Sequence, residues 1–264
     1  MTSEEPTIAG DHDEGRMPLM EHLVELRSRL IKMVVAVLVG AVVGFIAYPW
    51  IFDALIGPYE SLCETAENTL DDQCRLLLTD PLGGFSVRMK VSVYGGIALA
   101  MPVLLWQIWR FVAPGLYPRE RRLAIPFVAS ALLLFAMGAA IAYWTMPAAL
   151  QFLSEIAGED NVVVAYSPDK YFQLIVYMML AFGIGFQFPI VLIFLEMLGV
   201  LDPETLAKHR RFAIVGIAVL VAVITPSADP ISMLALTVPM VLFYEVAIIV
   251  GRLVVRRRDQ EPAL

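Results

Sequence analysis

MPLMEHLVELRSRL, residues 17–30, runs straight into an apolar stretch that extends from Leu30 to Trp50. Leu19, Leu23, Leu26 and Leu30 recur at helical spacing and form one apolar face. Glu21, Glu25, Arg29 and Lys32 fall on the other side, three and four residues apart. The stretch therefore reads as an amphipathic helix feeding a hydrophobic one of membrane-crossing length. A lead-in of this kind is where a membrane protein collects positive charge, yet this one also carries carboxylates.

The composition agrees with a membrane reading. Of 264 residues, 59% are hydrophobic and only 17% are charged. A soluble domain cannot bury that much apolar surface. The three histidines (His12, His22, His209) and two cysteines (Cys63, Cys74) are too scattered to ligate zinc, haem or an iron–sulfur cluster. No HExxH, GxSxG or pair of intramembrane aspartates is present, which argues against an enzyme. No metal, cofactor or nucleic-acid partner is expected. Residues 1–16 (MTSEEPTIAGDHDEGR) read as a disordered acidic tail. No small-residue cleavage site follows the first apolar run, so its helix is expected to be a retained anchor.

Further along, Gly40 and Gly44 form a GxxxG pair that would let another helix come close. Residues 53–82 read as the longest polar loop, with seven acids and a single base, Arg75. That shortage of bases places it outside the cytoplasm. In an oxidising compartment Cys63 and Cys74 would pair, closing a short loop at a gain of about 3 kcal/mol; two free thiols are the alternative. The second span covers residues 85–111, with Pro102 as a kink and with Arg88 and Lys90 snorkelling to the outer interface. The third covers 123–146 and the fourth 171–198, the latter carrying Gln187 before Pro189. Asp202-Pro203-Glu204 reads as a helix start. The fifth run, Phe212 to Ile224, holds 13 residues. It would be roughly 20 Å long, short of a ~30 Å hydrocarbon core. TPSADP (225–230) is a turn, and the sixth run, Ile231 to Val250, is interrupted by Pro239.

Fifteen of the nineteen bases fall in the N-terminal lead-in, the 110–122 loop, the 199–211 loop and the C-terminal segment. The excess of Lys and Arg puts these four regions, and both termini, in the cytoplasm. The expected architecture is an all-α integral membrane protein with six transmembrane helices, the fifth and sixth short. Residues 17–252 form one membrane domain and 253–264 a basic tail.

Four blocks now stand together: MPLMEHLVELRSRL (17–30), WRFVAPGLYPRERR (109–122), FGIGFQFPI (182–190) and TPSADP (225–230). In this order, among six spans, they resemble the TatC family, the polytopic receptor subunit of the twin-arginine protein translocase. The resemblance implies a bacterial cytoplasmic-membrane protein that binds twin-arginine signal peptides. Together with single-span partners of TatA and TatB type, and in a complex holding further copies of itself, it would export folded proteins using the proton-motive force. It also implies that Glu25 and Glu120 are the signal-peptide receptor acids, with Phe111 beside them. Pro58 in the first outer loop and Asp229 after the TP turn match further family positions. Where the family often has a membrane-embedded Glu, this chain has Gln187, which takes up and releases no proton.

The chemistry suits that assignment. A guanidinium pairs bidentately with a carboxylate, more strongly where water is partly excluded. On an arginine-rich face, isolated acids are what such a ligand needs. Plainer readings stand beside this one: Glu25 and Arg29 form an ordinary i, i+4 pair, Glu120 suits the first turn of a helix, and Gln187 could fasten one helix to another. A small secondary transporter is the rival class. It would need an ionisable residue at mid-bilayer or broken helices related by a repeat, and neither is evident. The short fifth run further suggests that the last hairpin thins the bilayer locally.

Overall fold

The computed structural model describes residues 19–65, 76–78, 80–112, 124–157 and 166–259. Among them there is no strand. The helices are α1 (Leu19–Ile46), α2 (Tyr48–Thr65), α3 (Gly83–Val112), α4 (Ala124–Ala157), α5 (Pro168–Gly185), α6 (Phe188–Met197), α7 (Pro203–Lys208), α8 (Arg210–Ile224) and α9 (Pro230–Asp259).

Among the described residues, five stretches are long and apolar enough to cross a membrane: Leu23–Ile46, Gly83–Phe111, Ile125–Ile156, Pro168–Met197 and Pro230–Leu253. The fifth run forms α8, with 15 residues, about 22 Å of helix. The sixth forms a longer helix than its apolar residues mark. α9 has 30 residues with Pro239 inside, and its apolar part has 24. Of the two closing helices, then, only α8 is short. With no Gly or Pro between Arg252 and Asp259, nothing stops α9, and the basic segment expected as a tail begins as its last turns.

α1 and α3 pack antiparallel. A Cβ on Gly96 would collide with the backbone of Gly40 and Ala41, and one on Gly44 would press on Ser92. The GxxxG pair therefore serves this contact inside the chain. α4 meets α5 in the same way, Gly138 lying against the backbone of Phe182 and Gly183. The core around α5 is filled by Phe172, Ile175, Met178 and Phe182, all essentially inaccessible. There Tyr171 donates its hydroxyl to the Leu55 carbonyl of α2 at 2.7 Å.

Several expected loops and anchors take a different form. Much of 53–82 is helix, because Tyr48–Thr65 lays apolar Leu55 and Tyr59 into the core despite its acids. Pro58 is buried inside α2, and its carbonyl accepts from the Ser61 hydroxyl at 3.0 Å. Pro102 is accommodated within the single helix α3. Arg88 and Lys90 are held by protein groups. Arg88 donates to the Phe45 carbonyl at 3.2 Å, beside the Phe45 ring at 4.1 Å, and so caps the end of α1. Lys90 pairs with Asp169 at 2.8 Å and donates to Gln173 at 3.0 Å, joining α3 to α5. One turn further in, the hydroxyls of Tyr94 and Tyr177 bond across the same two helices.

The fourth span is broken at Phe186 and Gln187. Pro189 has no N–H to give the carbonyl four residues back, and its ring crowds that turn. The Gln187 amide bonds back to Ile184 at 2.9 Å instead. α6 closes with Gly199 at φ +72°. The Val200 N–H bonds to the Leu195 carbonyl and the Gly199 N–H to that of Glu196, each at 3.0 Å, a glycine-ended helix stop. Asp202 caps α7 through the Thr205 N–H, as expected of Asp-Pro-Glu. Asp229 caps α9, accepting from the Ser232 N–H at 2.7 Å and from the Ser227 hydroxyl.

Candidate functional site: the α1–α3 end

The antiparallel register of α1 on α3 fixes what meets at one end of the bundle. Gly44 lies by Ser92 and Gly40 by Gly96, so Glu25 comes level with the last turn of α3. A cleft of about 480 Å³ opens there, lined by Val24, Glu25, Ser28, Arg29 and Lys32 of α1 and by Gln107 and Arg110 of α3. The Arg29 guanidinium donates to the Glu25 carboxylate, and the pair is only partly accessible, 10% for the Arg29 side chain and 27% for Glu25. Three bases around one acid make the cleft lining net positive. Phe111, half-buried, follows Arg110 at the end of α3. Glu120 lies outside the described residues, as do Cys74, the Cys63 side chain and residues 1–18. The structure thus brings Glu25 and Phe111 to one end of the same helix pair.

Gln187 sits elsewhere, at the α5–α6 break. Its amide nitrogen donates to the Ala131 carbonyl of α4 at 3.0 Å, and its amide oxygen is buried without a partner among the described residues. It borders an apolar hollow of about 520 Å³ between α3, α4 and α6, walled by Met101, Leu105, Trp109, Phe127 and Phe194 among others. Asp229 is 1% exposed and serves the α9 cap.

Sequence reasoning missed Glu196, in the last turn of α6. It is 3% exposed, and neither carboxylate oxygen has a partner among the described residues. The signal was there: an acid inside the fourth apolar run merits attention by default.

A family model for "Sec-independent protein translocase protein (TatC)" matches residues 21–239. The chain belongs to the TatC family. A TatC of Frankia casuarinae is 39% identical over 258 residues, covering 95% of this chain and 71% of that one. A TatC of Aquifex aeolicus is 36% identical, covering 92% of this chain and 98% of its own. A crystal structure of a twin-arginine translocase receptor, TatC, superposes with a TM-score of 0.70 at 34% identity, over 88% of this chain and 98% of that one. The chain is accordingly a multi-pass membrane component of the Sec-independent twin-arginine translocase, a transport subunit rather than a catalyst.

Proposed function

We propose that this TatC-family chain is the signal-peptide receptor of its translocase, and that the cleft at the α1–α3 end holds the twin arginines. The observation that carries the reading is the Glu25–Arg29 pair lining that cleft. Glu25 already binds one guanidinium. An incoming arginine can take the place of Arg29 on the same carboxylate, with the same charge-assisted geometry. Glu120 supplies the second acid from the segment that follows α3, and Phe111 packs on the apolar part of the peptide beyond the arginines. The surrounding bases repel any cation that does not engage a carboxylate, which sharpens selection for arginine over lysine.

In this reading the Glu25 end faces the bacterial cytoplasm, together with both termini, as the distribution of Lys and Arg requires. TatA- and TatB-type single-span proteins are the working partners, further copies of this chain join the complex, and the proton-motive force drives passage of the folded cargo. Pro58 and Asp229 shape the opposite end. Affinity for a twin-arginine peptide, measured on the purified chain in lipid nanodiscs, tests the site. Glu25→Gln and Glu120→Gln should each weaken binding at least about tenfold, as expected for loss of a charge-assisted contact. Unchanged affinity in both variants would reject the site.

A further inference from the structure

Among the described residues, Glu196 is the one buried carboxylate that the receptor reading leaves without a task. It sits on bare backbone: a Cβ on Gly251 of α9 would collide with the carboxyl carbon and both oxygens. Gly251 thus makes the seat that the acid occupies. Among the described residues, the groups around it offer no counter-charge. Asp202, in the link to α7, faces it with the same sign. Tyr244 of α9 also faces it, but donates its hydroxyl to the Leu206 carbonyl at 2.8 Å. Arg210 of α8 is paired with Glu245 of α9 at 3.0 Å, and Arg252 is exposed. Trp109 of α3 and Val128 of α4, which pack on this end of α6 through Met197, carry no charge. An ionised carboxylate with neither donor nor cation is far costlier inside a protein than a neutral carboxylic acid.

We propose that Glu196 is a proton-binding site that couples the α6–α9 contact to the proton concentration in the water at this end of the bundle. With its O–H bond intact, the neutral acid fits against Gly251 and the two helices stay closed. When that bond breaks, the proton passes to water and the carboxylate keeps the electron pair. The new charge then needs hydration, which the site supplies only if α6 and the end of α9 separate. The pair is a proton-sensitive joint between the fourth span and the last. It does not depend on where signal peptides bind, and the test contains no peptide.

The full chain in lipid nanodiscs is examined by infrared difference spectroscopy as the buffer is stepped from neutral to alkaline. A protonated-carboxyl stretch should be present at neutral pH, be lost in alkali, and be missing from Glu196→Gln. Over the same steps, amide hydrogen exchange across Tyr244–Leu253, corrected for the intrinsic rate, should rise several-fold in the parent and stay flat in Glu196→Gln. Glu196→Asp is the second variant and should move the band rather than abolish it. A parent chain without the band at neutral pH would overturn the proposal. So would a band that survives in Glu196→Gln, or an exchange rise equal in parent and Glu196→Gln.

Discussion

Glu25 and Arg29 are four residues apart on one helix, a spacing that in water is worth only a few tenths of a kcal/mol. Their setting changes what the pair can do: it lines a cleft whose other walls are Lys32, Gln107 and Arg110. Gln187 is a different case. Its side-chain nitrogen donates to Ala131 of α4 at 3.0 Å and to Gly183 of α5 at 3.4 Å, which ties α4 to the break in the fourth span, and an amide does not take up or release a proton at working pH. Gln187→Leu should therefore cost about 1 kcal/mol of stability, read as a lowered thermal midpoint in detergent. The pH profile of cargo transport should remain that of the parent. A profile displaced along the pH axis would assign this position a part in proton handling that its chemistry denies. At this scale the resemblance to the TatC family singled out Glu25, whereas nothing in the sequence blocks singled out Glu196. An acid in the last turn of an apolar run reads as an interface residue until Gly251, 55 positions on in the chain, is seen beneath it. Arg88 was misjudged for a related reason: the α1 carbonyl it caps belongs to another helix.

Among elements, α1 and α3 show how small residues set a helix pair. Gly96→Leu would drive a side chain into the backbone at Gly40 and Ala41. It should destabilise the chain by about 1–3 kcal/mol or more, as overpacking does. Gly84→Leu near the start of the same helix meets nothing within 4 Å and should leave the thermal midpoint unchanged. Equal effects would mean that the α1–α3 approach is looser than described. α8 carries a second prediction. With 15 residues it falls short of a typical hydrocarbon core by about 8 Å, a mismatch expected to thin the bilayer beside the last hairpin at modest cost. Inserting one apolar turn into α8 should reduce transport while leaving the chain folded, as followed by cargo export and thermal melting. Full export would show that the shortness has no mechanical use. The shortness of α8 could be read from the apolar run alone. α2 could not, because its acids mask a helix whose burial depends on residues far along the chain, such as Phe172 stacked on Phe52 at 4.6 Å.

Taken as a whole, the molecule arranges its long helices so that the starts of α1, α4 and α8 and the ends of α3, α6 and α9 share one end. That alternation was evident in the sequence from the placement of Lys and Arg. It predicts that a reporter fused after Leu264 is accessible from the cytoplasm only; access from the opposite side would invert every assignment of inner and outer. It also gathers Glu25 and Arg110 at the end where we propose that the signal peptide binds. The most direct test of that claim compares a twin-arginine peptide with its twin-lysine counterpart on the parent chain in lipid nanodiscs. Both peptides carry the same charge, and only arginine presents the planar fork that a carboxylate grips at two points. The account predicts that the lysine peptide binds at least about tenfold more weakly, a difference of roughly 1.4 kcal/mol. Equal affinity for the two peptides would contradict it.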